Sequence, residues 1–117
     1  MPFVRVSTSS QPPLPTATTD LLLKVSQAVA HHLGKPETYV MTCFAPAGSM
    51  TFGGSPEPCC FVDVRGIGTP TPAQTSALNT ALCGLMESEL GVPTARTFVV
   101  FTDVPRSAWG AGGRMLG

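Results

Sequence analysis

The sequence predicts an α+β fold, in which two β-α-β units join into a four-stranded sheet with both helices on one face. Three observations lead there. First, the chain repeats itself: Leu33-Gly34-Lys35-Pro36 returns as Leu90-Gly91-Val92-Pro93, 57 positions later (90 − 33), the mark of a domain built from two similar halves. Second, each half reads strand, helix, strand, and such a unit in one sheet makes its two strands parallel through a right-handed crossover. Third, 43% of the residues are hydrophobic and only 12% charged, about half the usual charged share. A small monomer so poor in charge exposes apolar surface, so a homo-oligomer is expected.

The elements follow in order within a single domain, 1–117, with repeats 2–45 and 59–102. The opening run, MPFVRV, is strand-like and begins with Pro2. A residue without an N–H is tolerated at the first position of a strand. A small second residue also favours removal of Met1, which would leave the Pro2 nitrogen a free secondary amine. The first helix is expected over 18–33, because Leu21, Leu22, Val25, Ala28, Val29 and Leu33 follow a helical period. Gly34 stops it and Pro36 prevents its continuation. A strand over 39–44 closes the first half, and the Pro- and Gly-rich stretch 45–58 is a loop.

In the second half, Cys60-Phe61-Val62-Asp63 stands where Phe3-Val4-Arg5-Val6 stood (3 + 57 = 60). The second helix opens on Thr71-Pro72-Ala73-Gln74, with a capping threonine, a first-turn proline and a glutamine three residues after the cap. It runs through Leu78, Leu82, Leu85, Met86 and Leu90 to its stop at Gly91. The strand over 96–101 is apolar on both sides, so the sheet face away from the helices also needs a cover, expected to be another copy of the chain. The glycine-rich tail, 109–117, reads as either a short extra strand or a loose segment.

Several function classes are excluded. Seven basic and seven acidic residues cancel, and no basic run offers to neutralise phosphates, so no nucleic acid is expected as a partner. No stretch approaches the roughly 20 apolar residues of a membrane span, and the N-terminus lacks a signal-peptide pattern. Four cysteines without a CxxC pair, and only two histidines, point away from a zinc site and towards free thiols in a reducing, cytoplasmic setting. No metal and no cofactor are expected.

With these residues in view, the chain resembles the macrophage migration inhibitory factor family of the tautomerase superfamily. The resemblance rests on MPFVRV at the start, LGKP after the first helix, MTFGGSPEPC in the middle and Ile67-Gly68 beyond it. It covers the chain up to about Trp109. It implies a homotrimer and keto–enol tautomerisation of small α-keto acids such as phenylpyruvate, or of dopachrome esters, with the N-terminal proline as the proton shuttle.

The chemistry asks for such residues. Proton transfer beside a carbonyl needs a base that is neutral at the working pH. Burial in an apolar pocket and a nearby cation both push an amine's pKa down. Read alone, Lys35 is a helix-end cation complementing the macrodipole; by resemblance it is the pocket lysine, which depresses the Pro2 pKa and holds the substrate's carboxylate or carbonyl oxygen. By resemblance, too, the backbone N–H of Ile67 holds a substrate oxygen, and Trp109, aligned with one gap, stands at the pocket rim. The family's pockets lie between subunits, and the neighbour contributes a tyrosine and an asparagine where this chain has Phe98 and Val100. Both lack the polar group, so the pocket is expected to be more apolar. The family's second motif cysteine is replaced by Val62, so a CxxC redox cycle is not expected. The alternative reading is a cytokine-like protein-binding ligand, intracellular or secreted by a non-classical route, with a protein receptor as partner and weak or vestigial tautomerase activity.

Overall fold

A computed structural model describes residues 1–12 and 14–117 of the chain. Among the described residues, six strands and two long helices follow one another: β1 (Phe3–Thr8), α1 (Pro15–Leu33), β2 (Met41–Pro46), β3 (Cys60–Gly66), α2 (Pro72–Leu90), β4 (Thr97–Asp103), β5 (Gly110–Ala111) and β6 (Arg114–Met115). Short 3₁₀ turns, Glu37–Tyr39 and Thr94–Arg96, lead into β2 and β4. The 57-residue offset of the sequence is the offset of the elements. It carries both ends of α1 onto α2 (72 − 15, 90 − 33) and the first turn onto the second (94 − 37).

The helix ends obey local chemistry. At α2, the Thr71 hydroxyl accepts from the Gln74 N–H at 3.1 Å while the Gln74 side chain accepts from the Thr71 N–H at 2.9 Å, a complete capping box. The first helix has no such cap. It starts at Pro15, three residues before the expected position: a proline suits the first helical position because its φ is preset and it removes one of the unpaired N–H groups, and the Ala17 N–H donates to the Leu14 carbonyl at 3.0 Å. Both helices end on a left-handed glycine, Gly34 at φ 63° and Gly91 at φ 69°.

Strands run in the order β2-β1-β3-β4, with β1–β2 and β3–β4 parallel and the central β1–β3 pair antiparallel. Val4 and Val6 of β1 and Val62 and Val64 of β3 face Leu21, Val25 and Val29 of α1 and Leu78, Leu82 and Met86 of α2 in one core. Each such large apolar side chain contributes about 1.5–3 kcal/mol through burial. Both helices therefore cover the same sheet face. The opposite face exposes Met41, Phe61, Phe98 and Val100, interrupted by an Arg65–Asp63 ion pair at 3.1 Å.

Arg96, at the end of the second 3₁₀ turn, shapes the loop between the halves. Its guanidinium donates to the carbonyls of Phe52, Ser55, Glu57 and Pro58 at 2.9–3.1 Å and lies over the Phe52 ring at 5.3 Å. The fork geometry is specific to arginine. Arg96→Ala is expected to lower stability by roughly 1–3 kcal/mol, read as a fall in the urea midpoint, and Arg96→Lys to recover only part of it. An unchanged midpoint for both would contradict the clamp.

The tail is a two-stranded hairpin, β5 with β6, turning through Gly112 and Gly113 at φ 61° and 81°. The Trp109 carbonyl accepts from the Leu116 N–H at 2.9 Å, and Arg106 donates to the Leu116 carbonyl at 3.1 Å.

Candidate active site

Three parts of the chain meet at one end of the sheet. Because β1 and β3 are antiparallel, with Phe3 opposite Arg65, the residue before β1 comes to lie near the residues after β3. The left-handed turn at Gly34 adds the third: the Lys35 N–H reverses onto the Ala30 carbonyl at 3.0 Å. Pro2, Lys35 and Ile67 thus line one cavity of about 210 Å³. Its apolar wall is Leu33, Val64 and Phe101, and its opposite rim is the segment Gly66, Gly68, Thr69 and Pro70 leading into α2.

Pro2 is buried, and its carbonyl accepts from the Met41 N–H at 3.0 Å, which anchors the start of β1 to β2. Lys35 and Ile67 are half-buried. Burial, and after it the charge of Lys35, lower the pKa of the amino group at Met1 below the ordinary value for a chain terminus. The lysine's field therefore reaches the start of the chain.

The repeat supplies an internal contrast. The counterparts of Pro2 and Lys35 are Cys59 and Val92 (2 + 57, 35 + 57), and both are buried, at 2% and 0% exposure. Where the first half sets a half-buried lysine at the cavity, the second buries a valine.

Trp109 lies in a second, wider hollow of about 640 Å³, together with Tyr39, Met41 and Arg65. Pro2 and Met1 border both hollows. Phe98 and Val100 line neither. They stand 57% and 43% exposed on the outward side of β4, with the Phe98 ring 4.8 Å from that of Phe52. A single protomer does not bring them to Pro2.

Leu33 and Gly68 entered the sequence reading as parts of the LGKP and Ile67-Gly68 motifs, not as lining, and Val64, Phe101, Gly66, Thr69 and Pro70 were missed as lining. Phe101 had a weak signal, since it repeats Phe44 (44 + 57); the rim residues around Ile67 owe their shape to tertiary hydrogen bonds.

The thiols sit apart from the site. Cys59 and Cys60 are buried, and burial pushes the Cys60 thiol up to about 11. Such a thiol is a poor nucleophile at neutral pH. Among the described residues, no group of three or more metal-ligating side chains gathers.

Comparison with known proteins adds an independent line. Residues 1–117 match the family model described as Macrophage migration inhibitory factor (MIF). The chain is 32% identical over 117 residues, the full length of both chains, to a macrophage migration inhibitory factor homolog of Brugia malayi. It is similar in structure to the macrophage migration inhibitory factor of Toxoplasma gondii, with a TM-score of 0.92 and 35% identity, covering 97% of this chain and 98% of that one. It is likewise similar to a homologue from Prochlorococcus marinus, with a TM-score of 0.90 and 36% identity over 98% and 99% of the two chains.

Proposed function

The chain belongs to the macrophage migration inhibitory factor family, and from that membership we propose that it is a keto–enol tautomerase of small α-keto acids, phenylpyruvate among them, working as a homotrimer. The observation that carries this reading is the convergence of Pro2, Lys35 and Ile67 on one cavity.

The reaction needs few parts. With Met1 removed, the Pro2 nitrogen is a secondary amine. Neutral, it takes a proton from the carbon beside the substrate's keto group. The C–H electron pair becomes the enol double bond, and the carbonyl π pair moves onto oxygen. The developing oxyanion is met by the Lys35 ammonium and the Ile67 N–H. The proton held on Pro2 then passes to that oxygen, giving the enol and restoring the neutral amine; ketonisation runs the same steps backwards. The apolar wall favours the neutral amine over the charged one.

The trimer explains the residues that a protomer leaves outside. An apolar outward face, with Phe98 and Val100 exposed on it, fits burial against a neighbour, where these two side chains would wall the neighbour's cavity near Trp109. Neither offers a hydrogen bond. An unsubstituted phenyl ring is therefore preferred to a hydroxyphenyl ring, whose hydroxyl would lose its water without gaining a partner. Four free cysteines suit the reducing cytoplasm. Among the described residues no helix is long and apolar enough to cross a membrane.

The test is turnover of phenylpyruvate by the chain processed to Pro2. Saturable conversion is expected, and its absence would overturn the reading. Lys35→Met gives a second check. Losing the cation that meets the developing oxyanion lowers kcat/KM, by about 10-fold or more for a charge-assisted contact. Losing the nearby positive charge also raises the Pro2 pKa, since the protonated amine is no longer repelled. Activity requires the neutral amine, so the acid limb of kcat/KM moves to higher pH. An acid limb that stays in place would exclude Lys35 as the depressing charge.

A further inference from the structure

The rim segment carrying Ile67 is held by a residue that does not itself line the cavity. Asp103, the last residue of β4, stands in register with Gly66, the last of β3. Its carboxylate accepts from the Gly68 N–H at 3.0 Å and from the Thr69 hydroxyl at 2.6 Å. The Val104 N–H donates to the Gly66 carbonyl at 2.8 Å. Tethers thus fall on Gly66, Gly68 and Thr69, and Ile67 lies between them. The Ile67 N–H donates to no backbone carbonyl among the described residues. Gly68 adopts φ +92°, which a side chain would resist.

We propose that Asp103 is a positioning residue of the site: its carboxylate clasps Gly68 and Thr69 and so fixes the Ile67 N–H towards the cavity, where an oxyanion develops. This rests on the tautomerase reading. The clasp is specific to the site's end of the sheet. Its counterpart in the first half is Pro46 (103 − 57), which has no acceptor side chain. A carboxylate is suited to the task, because its hydrogen bonds are roughly twice as strong as neutral ones. The short connection from β3 to α2 would otherwise sample several shapes, and a misplacement of about 1 Å in a reacting geometry can cost 10²-fold in rate.

The test compares Asp103→Ala, Asp103→Asn and Thr69→Val with the processed parent, using phenylpyruvate as substrate and amide hydrogen exchange over 66–69 as a second readout. Asp103→Ala is expected to lower kcat about 10- to 100-fold, with a smaller change in KM, a melting temperature near the parent's, and exchange at Gly68 accelerated at least ~10-fold. Asp103→Asn, which keeps an oxygen for the Gly68 N–H, is expected to restore most of kcat. Thr69→Val, which removes one tether, should fall between the two.

Asp103→Ala within twofold of the parent in kcat would overturn the clasp while leaving the tautomerase reading in place. If Asp103→Ala does not fold, Thr69→Val decides: kcat equal to the parent's overturns the proposal. If the processed parent fails to turn over phenylpyruvate, the tautomerase reading falls by itself. Unchanged exchange at Gly68 in the variants would then overturn the clasp, and acceleration confined to 66–69 would uphold it as the device that orders this rim.

Discussion

A chain that keeps Met1 is expected to convert phenylpyruvate at least ~10³-fold more slowly than the same chain processed to Pro2. General base catalysis by a placed group is worth about 10²–10⁴-fold, and acylation removes it entirely, because a peptide nitrogen has no basic lone pair. The loss is compounded by space. Met1 borders both hollows that meet at Pro2, so a retained residue there takes space beside the reacting nitrogen. The comparison is made by inserting a leucine between Met1 and Pro2, which blocks removal of the initiator, and measuring turnover beside the processed parent. Activity within tenfold of the parent would mean that another group carries the proton.

Pro2→Gly, processed so that the new glycine is the free N-terminus, is expected to lose about 10²-fold in kcat/KM, a smaller fall than acylation causes. Glycine retains an α-amine, so a base is still present. It lacks the ring, however, and with it the fixed φ that aims the nitrogen into the cavity. The start of β1 would still be tied to β2 through the carbonyl bond to Met41, so the fold and assembly should persist. The two changes separate the roles of base and ring: acylation keeps the ring and removes the base, and glycine does the reverse. Equal losses would mean that an amine without the ring's placement contributes nothing. No loss in Pro2→Gly would mean that any terminal amine suffices.

Much of the fold was legible because its grammar is local. Thr71-Pro72-Ala73-Gln74 states a helix start, and the structure forms the full box there. Gly34 and Gly91 state two helix ends, and both take the left-handed conformation. The 57-residue offset made each half confirm the other. The start of α1 was less legible, since Leu14 supplies no capping side chain and the run from Pro15 lacks large apolar residues until Leu21. Of the site, the free amine of Pro2 was raised by its place after Met1, while its catalytic role and the roles of Lys35 and Ile67 were read only through a family resemblance; the antiparallel pairing of β1 with β3 is what brings Pro2 and Ile67 together, and nothing local encodes it. Asp103 was illegible for the same reason. A lone aspartate at the end of a strand acquires its role only when the parallel register sets it against Gly66 and within reach of Gly68. Phe98 and Val100 mark the boundary of what one protomer explains, because their place in a site depends on a neighbour.

The central claim is that the Pro2 nitrogen is a neutral base at working pH, kept so by its surroundings. The direct measurement is an NMR titration of the ¹⁵N-labelled Pro2 nitrogen in the processed protein, set beside the pH dependence of kcat/KM. Burial and the Lys35 charge already lower the terminal amine in the chain that begins at Met1. The prediction is a Pro2 pKa well below the ~8 of an ordinary α-amino group, coinciding with the acid limb of the rate profile. A nitrogen that titrates above ~8, or an acid limb that falls elsewhere, would contradict it.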